Sequence, residues 1–274
     1  MVQTLDRPSQ RTDAALKPPL KWAGGKRWLV EHVRPYWEQY RDRRYVEPFC
    51  GGLAMAIGLK PEYALLNDMN VHLVNFYEQL QRGLRMTIQT GNDRDLYLRH
   101  RDRFNDLIRA NACRSNESAQ LFYFLNKTGY NGLCRFNKKG EFNVPFGKYK
   151  QINYREEAFP DYTRTLADWK FVSGDFEHVG VRSGDFIYAD PPYDVQFVQY
   201  SSYGFKWADQ ERLAGWLAAH DGPVILSNQA TPRIMELYRD YGYFTKELPA
   251  PRRISCNGNR TPAMEVLAFK NLRV

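Results

Sequence analysis

The sequence contains little cysteine, and its four cysteines do not fall in the spacing of a metal module or a disulfide framework. Cys50, Cys113, Cys134 and Cys256 lie far apart in the chain. This wide spacing predicts free thiols in a reducing compartment and argues against a zinc module. The five histidines also lack the spacing of metal ligands, so we expect no metal site.

Long apolar segments are missing as well. No window of the sequence approaches the roughly 18 consecutive apolar residues that a membrane-spanning helix requires. Residues 1–18 are polar and mixed in charge, and they lack the apolar core of a signal peptide. We expect these residues to form a loosely ordered tail. Together these absences predict a cytoplasmic protein with no membrane partner.

Both signs of charge are present, but their balance is uneven along the chain. The 274 residues include 39 Lys/Arg and 31 Asp/Glu, and 43% are hydrophobic, which excludes wholesale disorder. Residues 82–150 hold 14 of the basic and six of the acidic residues, so the net charge of +8 belongs to this segment. A neutral body with one basic segment predicts a polyanionic partner. A solubilising surface is the alternative interpretation.

The first region of the chain alternates short apolar runs with glycine-rich turns. Residues 44–47 read as a strand, residues 49–52 as a loop containing Gly51, and residues 53–59 as a buried helix. A second strand at 63–66 ends at Asp68, which lies 17 residues after Gly51. Glycine loop and strand-end acid together are typical of a Rossmann-type unit, in which the acid accepts hydrogen bonds from ribose hydroxyls.

Further strands follow in the last region, at 170–172, 186–189, 224–226 and 264–269, with a helix at 207–219. Strands alternating with helices predict an α/β fold with a largely parallel sheet covered on both faces. Asp68, Asp175 and Asp190 all follow predicted strands. Because ligands in such sheets lie at the carboxyl ends of the strands, we expect one crevice to collect all three acids.

The most specific local pattern is the sequence Asp190-Pro191-Pro192-Tyr193 after a buried strand. The exocyclic amine of a base is a poor nucleophile, because its lone pair is delocalised into the ring. A carboxylate and a backbone carbonyl that each accept one N–H favour a pyramidal nitrogen. The prolines remove two competing donors, and Tyr193 offers a face for stacking a base. The alternative is a strand-ending turn in which Asp190 caps a helix.

These motifs resemble the Dam-type family (D12 class, alpha group) of DNA adenine-N6 methyltransferases over residues 20–272. The resemblance rests on residues 21–26 (KWAGGK), 47–52 (EPFCGG), 67–68 (ND), 126–149 (NKTGYNGLCRFNKKGEFNVPFGKY), 190–193 (DPPY) and 255–258 (SCNG). It implies a Rossmann-like core that uses S-adenosylmethionine, at 19–75 and 165–274. It also implies an inserted helical and β-hairpin target-recognition domain at 76–164, and a bacterial or phage-encoded, nucleoid-associated protein.

The resemblance also implies roles for individual positions. The implied catalytic residues are Asp190, Pro191, Pro192 and Tyr193, and the implied cofactor-binding residues are Trp22, Lys26, Phe49, Gly51, Asp68, Asp175, Phe176 and Asp190. The family positions that contact DNA match Lys21, Tyr130, Asn131, Leu133, Arg135 and Pro145. We expect a monomer that acts on double-stranded DNA at GATC. Because some members of the family recognise longer sites, the resemblance firmly implies only a target sequence with a core that contains GA.

The basic segment supports the DNA-binding prediction independently. Residues 137–140 read as the turn of a hairpin with strands at 133–136 and 141–144, which is narrow enough to enter the major groove. Arg135 can donate two hydrogen bonds to a guanine edge, and Tyr130 can fill the gap left by an extruded base. The polar residues Asn137, Lys138, Lys139 and Lys148 suit the turn and the phosphates. Phe122, Phe124 and Phe136 are expected to pack a core instead.

Other functions fit the sequence less well. An RNA methyltransferase and a non-catalytic DNA-binding protein with a retained cofactor fold stay open. A cytosine-C5 enzyme is disfavoured, because no cysteine follows a proline. Residues 160–161 (PD) and 168–170 (DWK) imitate a magnesium-nuclease pattern, but they lie in a predicted connection. The sequence does not distinguish an orphan enzyme from a member of a restriction-modification system.

Overall fold

The computed structural model describes residues 16–193, 204–251 and 263–272. Within these ranges one seven-stranded sheet forms the centre of the fold, in the order β3-β2-β1-β4-β5-β7-β6. Its strands are β1 (Tyr45–Glu47), β2 (Ala64–Asp68), β3 (Trp169–Ser173), β4 (Phe186–Ala189), β5 (Val224–Gln229), β6 (Phe244–Ala250) and β7 (Ala263–Lys270). Strands β1 to β5 are parallel, and β7 runs antiparallel to both β5 and β6. The prediction of a mixed, mostly parallel sheet is confirmed.

Helices cover both faces of the sheet, because successive side chains of a strand point to opposite sides. The helices are α1 (Val30–Trp37), α2 (Ala54–Leu59), α3 (Val71–Gln81), α4 (Arg94–Arg109), α5 (Asn116–Thr128), α6 (Phe159–Thr165), α7 (Trp207–Ala218) and α8 (Pro232–Asp240). Tyr45 and Leu66 pack into a core cluster shared with α1 to α6. Val46 and Leu65, one position away, pack into a second cluster shared with α7 and α8.

The strand order fixes where a ligand can bind. The chain places β2 and β3 on one side of β1 and then returns to place β4 on its other side. Tyr45 is therefore in register with Ala64 on one side and Phe186 on the other. The carboxyl ends of β1 and β4 flank this reversal, which is the position where open α/β sheets bind ligands.

Strand β6 is absent from the sequence-based prediction. Of its seven residues only Leu248 is buried, and the strand lies at the edge of the sheet, so it lacks the apolar run of an internal strand. Pro249 also reads as a strand breaker, but an edge strand tolerates proline because one side has no ladder to complete. The other predicted strands and the helix at 207–219 agree with the structure to within a few residues at each end.

The predicted boundaries of the 76–164 segment both fall inside helices, namely α3 and α6. Phe104 of α4 and Phe122 of α5 belong to the same buried cluster as the sheet residue Tyr45. Phe124 is also fully buried, which confirms the expectation that it packs a core. The assignment of 76–164 to a separate recognition domain stays a prediction.

The predicted hairpin is shorter in the structure than in the prediction. Phe136 pairs with Phe142 in a single antiparallel bridge, in place of two strands of four residues. The second arm is instead bound by helix α4. The side chain of Asn105 accepts a hydrogen bond from the Phe142 N–H (2.8 Å) and donates one to its carbonyl (3.1 Å), and Tyr97 donates to the Val144 carbonyl (2.8 Å).

Three further observations bear on the opening predictions. Among the described residues, no helix is long and apolar enough to cross a membrane. Cys50, Cys113 and Cys134 are free thiols. Cys256, the 255–258 motif and residues 1–15 of the predicted tail lie outside the described residues.

Candidate active site

A tight loop at residues 48–53, here called the glycine loop, connects β1 to α2. Its sharp path uses positive φ angles at Gly51 (+44°) and Leu53 (+61°). The Gly51 N–H donates to Asp68 Oδ2 (3.0 Å), and the Tyr77 hydroxyl donates to the Gly51 carbonyl (2.6 Å). Asp68 also accepts from the Asn70 N–H (2.9 Å), so the strand-end acid fixes the loop. Burial raises the pKa of Asp68, and these two N–H donors oppose the shift.

The indole of Trp22 covers the glycine loop at van der Waals distance. A Cβ atom at Gly51 would lie 2.9 Å from Trp22 Nε1, and one at Gly52 would lie 2.7 Å from Trp22 Cβ. Only glycine leaves this space free at both positions. Two residues predicted to share a cofactor site, Trp22 and Gly51, are therefore in direct contact.

A cluster of aromatic rings includes Phe49, which follows β1, and Phe176, which follows β3. Phe49 and Phe176 lie 5.6 Å apart between ring centroids, and Phe205 contacts both rings. Arg212 stacks on Phe176 at 4.4 Å and forms two hydrogen bonds with Asp175, of 2.9 and 2.8 Å. The Arg212 guanidinium lowers the pKa of Asp175 below its ordinary value. Asp175 is thus an ionised, oriented acid beside two aromatic rings.

The Asp190-Pro191-Pro192-Tyr193 turn begins where β4 ends, next to the glycine loop. Asp190 Oδ1 lies 3.1 Å from the Lys26 ammonium and accepts a hydrogen bond of 2.9 Å from the Ser227 hydroxyl. The Asp190 side chain is 20% exposed, so it can still be reached from solvent. Gln210 donates to the Pro192 carbonyl (2.8 Å), which fixes the turn from helix α7. The side chains of Lys26 and Ser227 hold Asp190 in place, and Asp190 does not cap a helix within the described residues.

Tyr193 and Lys26 also contact a second acid, Glu265 on β7. The Tyr193 hydroxyl donates to Glu265 Oε1, and Lys26 lies 3.8 Å from the same oxygen. The Lys26 ammonium lies 4.4 Å from the centre of the Tyr193 ring and donates to the Gly24 carbonyl (3.2 Å). Lys26 is therefore buried between two carboxylates and an aromatic face.

The acids of this cluster have raised pKa values. Burial raises the pKa of Asp190, although the Lys26 ammonium opposes the shift. Burial also raises the pKa of Glu265 to about 7 and that of Glu47, which repels the charge of Asp190, to about 8. The Lys26 ammonium lies beside two of these carboxyl groups, Asp190 and Glu265, and opposes the effect of burial on both pKa values.

The central loop, residues 129–147, contains most of the predicted DNA contacts. Hydrogen bonds close its base: Tyr130 N–H donates to Pro145 (2.9 Å) and Gly147 N–H donates to Thr128 (2.8 Å). The Tyr130 side chain is 50% exposed, and Asn131 adopts a positive φ of +52° that turns the chain sharply. These hydrogen bonds join the two ends of the loop, and the Tyr130 ring lies on the surface beside them.

The remaining residues predicted to contact DNA differ in their exposure and in the hydrogen bonds that they already form within the protein. Arg135 donates to the Asn143 side chain (2.8 Å) and carbonyl (3.0 Å), so the hairpin already holds its guanidinium in place. Asn137 accepts from two turn N–H groups, and Leu133 is half-buried. The exposed positions among them are Lys138, Lys139, Pro145 and Lys148.

Two lysines beside the central loop form hydrogen bonds with backbone carbonyls of the protein. Lys127, which lies in the basic segment, is buried and donates to the Pro19 carbonyl at 2.6 Å, and burial lowers its pKa to about 8. Lys21 donates to the Lys127 carbonyl (2.8 Å) and lies over the Tyr149 ring (3.7 Å). The side chain of Asn126 binds both the N–H (2.9 Å) and the carbonyl (2.8 Å) of Lys21.

Comparison with known proteins identifies the family of this chain. The sequence profile of the D12 class N6 adenine-specific DNA methyltransferases matches residues 22–249. The chain belongs to this family.

Characterised relatives agree with this D12 methyltransferase assignment. A DNA N-6-adenine-methyltransferase of Escherichia phage P1 is 37% identical over 91% of this chain, although the match spans only 35% of the phage protein. The type II methyltransferase M1.LlaDCHI of Lactococcus lactis subsp. cremoris is 34% identical, covering 85% of this chain and 88% of the relative. A DNA adenine methylase of Vibrio cholerae is 34% identical, covering 91% and 94%.

A solved structure, the precorrin-6y C5,15-methyltransferase of Geobacter metallireducens, aligns with 93% of the D12 methyltransferase chain. The alignment has a TM-score of 0.39 and a sequence identity of 10%, and it covers the whole of the precorrin-6y methyltransferase chain. This likeness is too weak to inform the function.

The D12 methyltransferase site contains residues that sequence patterns miss. Glu265, Ser227 and Gln210 contact the turn at residues 190–193, but none was predicted as a site residue. Glu265 had a usable signal, because it is a lone acid within the apolar strand pattern of residues 263–269. Ser227 follows a predicted strand, whereas Gln210 lies on the buried face of α7 and carries no distinguishing signal.

No metal centre was expected, and among the described ranges no group of three or more His, Cys, Asp or Glu side chains could hold a metal ion. The two halves of the nuclease-like pattern lie in α6 and at the start of β3. Asp161 of that pattern pairs with Arg164 on the same helix.

Proposed function

We propose that this D12 methyltransferase transfers a methyl group from S-adenosylmethionine to N6 of an adenine flipped out of duplex DNA, within GATC. One observation carries the proposal. Asp190 stands at the carboxyl end of β4, partly exposed, beside the glycine loop, and it is held by Lys26 and Ser227. An oriented carboxylate at this place can accept a hydrogen bond from an amine brought against the cofactor pocket.

The residues around the glycine loop fit S-adenosylmethionine. Gly51 and Gly52 let Trp22 pack directly on the glycine loop, because a Cβ atom at either position would clash with it, and we assign the cofactor cradle to this loop and indole. Phe49 and Phe176 form an aromatic wall for a purine, and Asp175 beside them supplies an ionised acceptor. The cofactor supplies a methyl group made electrophilic by a sulfonium centre.

The turn at residues 190–193, here called the catalytic turn, would act by orienting the acceptor amine. The Asp190 carboxylate accepts one N–H of the adenine amino group, and the carbonyl of Pro191 accepts the other. These bonds keep the nitrogen lone pair out of the ring, and no covalent bond to the enzyme is needed. One face of the Tyr193 ring is occupied by the Lys26 ammonium at 4.4 Å, so a flipped base would stack on the other face.

The central loop would read the DNA. Tyr130 is exposed at the turn after α5 and can fill the space of an extruded base. Arg135 is held by Asn143, which orients its guanidinium for two hydrogen bonds to a guanine edge. Lys138 and Lys139 are exposed at the tip and suit phosphates. The GATC target rests on the family resemblance of residues 126–149.

A methylation assay tests the proposal. The protein is incubated with radiolabelled S-adenosylmethionine and matched duplexes that contain or lack GATC, and the labelled nucleoside is identified after digestion. We expect N6-methyladenine in GATC duplexes. Label in RNA only, or at cytosine, contradicts the proposal, and DNA binding without any label favours a non-catalytic protein.

Replacing Asp190 tests the catalytic turn. Asp190→Ala removes the acceptor for the amine, so we expect the transfer rate to fall by at least about a hundredfold while DNA binding persists. Gel-shift and single-turnover measurements separate these two effects. Near-normal turnover by this variant contradicts the role given to Asp190.

Replacing Arg135 and Lys138 tests the division between base and phosphate contacts. Arg135→Ala should lower discrimination against altered sites by about 1–3 kcal/mol. Lys138→Ala should weaken binding to all sequences alike and reduce the slope of log affinity against log salt by about 0.9. Equal effects of both variants on sequence preference contradict the division.

A further inference from the structure

A buried acid lies behind the catalytic turn, where nothing in the reaction requires one directly. Glu265 is 3% exposed and is located on β7, between Gln229 of β5 and Leu248 of β6. Burying an ionisable group in a sheet is unfavourable unless partners compensate for it. Its partners are Tyr193 and Lys26, which are both predicted site residues.

The geometry around Lys26 shows a shared charge. The ammonium lies 3.1 Å from Asp190 Oδ1 and 3.8 Å from Glu265 Oε1, so it bridges the two acids and favours Asp190. The Ser227 hydroxyl binds the same Oδ1 atom, so neither donor competes for the second carboxylate oxygen, Oδ2. A second anion beside the lysine fixes the ammonium between the two acids and with it the orientation of the Asp190 carboxylate.

We propose that Glu265 is a positioning residue of the catalytic turn, which anchors the Tyr193 ring through its hydroxyl and gives Lys26 a second anion. This inference rests on the proposed function. With Tyr193 anchored, the ring keeps one orientation for the stacked base. With Lys26 held between the two acids, the ammonium fixes the Asp190 carboxylate through Oδ1 and leaves Oδ2 to accept the hydrogen bond that orients the amine. Glu265 itself touches neither substrate nor cofactor.

Two substitutions separate the two actions of Glu265. Glu265→Gln keeps an oxygen that can accept from the Tyr193 hydroxyl but removes the charge that attracts Lys26. Glu265→Leu removes both. Glu247→Gln is a matched control, because Glu247 is an exposed acid on the adjacent strand, opposite Val266.

The test measures single-turnover methyl transfer to GATC duplexes at saturating cofactor, with the KM for DNA and the melting temperature measured in parallel. We expect Glu265→Gln to lower the transfer rate about tenfold and Glu265→Leu about a hundredfold, with the KM for DNA changed less than about threefold. Glu247→Gln should behave as the wild type. A rate loss without a matching KM change separates positioning from a general loss of structure.

A double-mutant cycle with Tyr193→Phe isolates the anchoring contact. Phenylalanine lacks the hydroxyl that binds Glu265, so Glu265→Leu should reduce the rate less in the Tyr193→Phe background than in the wild type. Equal losses in both backgrounds, or folded Glu265 variants with wild-type rates, overturn the inference while leaving the proposed function intact. A wild-type protein that methylates no DNA overturns the proposed function and this inference with it.

Discussion

Replacing Gly52 with alanine tests whether the glycine loop and Trp22 together form the cofactor cradle. The new Cβ would lie 2.7 Å from Trp22 Cβ and 3.3 Å from Trp22 Cγ. Gly52 does not use a positive φ, so the backbone itself tolerates alanine and the effect is steric. An ordinary contact is about 3.4 Å or longer, which requires a displacement of about 0.7 Å.

The clash cannot be relieved by rotating the indole, because it involves Trp22 Cβ, whose position is set by the backbone. The preceding residue, Lys21, is bound at its N–H and its carbonyl by the Asn126 side chain, so this backbone is anchored. Overpacking of this kind typically costs about 1–3 kcal/mol. If the segment relaxes by moving Trp22 away, binding of the cofactor must restore the strained position. The dissociation constant should then rise by roughly 5- to 150-fold.

Isothermal titration of S-adenosylmethionine measures this effect directly. Gly180→Ala is the control, because a Cβ at Gly180 meets no atom within 4 Å. Trp22→Gly in the Gly52→Ala background removes the clashing Cβ together with the ring, so the two substitutions together should weaken binding less than the sum of their separate effects. Wild-type affinity in a folded Gly52→Ala protein would refute the cradle assignment.

Two stability predictions follow from buried ionisable groups. Burial lowers the pKa of Lys127 to about 8, so the free energy of unfolding of the wild type is reduced below pH 8 and recovers as the pH rises toward 10.5. In urea unfolding, Lys127→Met should therefore be about 1–2 kcal/mol more stable than the wild type at pH 7 and should lose this advantage by pH 10. The salt dependence of DNA binding should not change. Burial raises the pKa of Glu47 to about 8, so the stability of the wild type falls as the pH rises from about 4.5 through 8. Glu47→Gln keeps an oxygen that accepts from the Tyr45 hydroxyl, and it should raise the melting temperature at pH 8.5 but not at pH 4.5. A Lys127→Met protein with weakened DNA binding, or a Glu47→Gln protein with no pH-dependent gain, contradicts these assignments.

The sequence was most informative where function follows local pattern. Asp68 and Asp190 follow buried apolar runs, and a parallel sheet necessarily brings its carboxyl ends to one edge. The partners of these acids were much less predictable, because they depend on packing between distant positions. Glu265 contacts Lys26, which is 239 residues away in sequence, and no local pattern records that contact. Lys127 belongs to the basic segment, yet helix α5 is buried on all its faces over residues 118–128.

Lys21 connects the central loop with the segment that carries Trp22. Asn126 binds the backbone of Lys21 on both sides and also reaches the Gly132 carbonyl at 3.4 Å. Trp22, the next residue, packs on the glycine loop. The Lys21 ammonium has three donors, and its hydrogen bond to the Lys127 carbonyl uses one, so a DNA contact and this joint are compatible. A phosphate that drew Lys21 out of the joint would displace the segment carrying Trp22. DNA and cofactor would then change each other's affinity by the same factor, because such coupling is reciprocal.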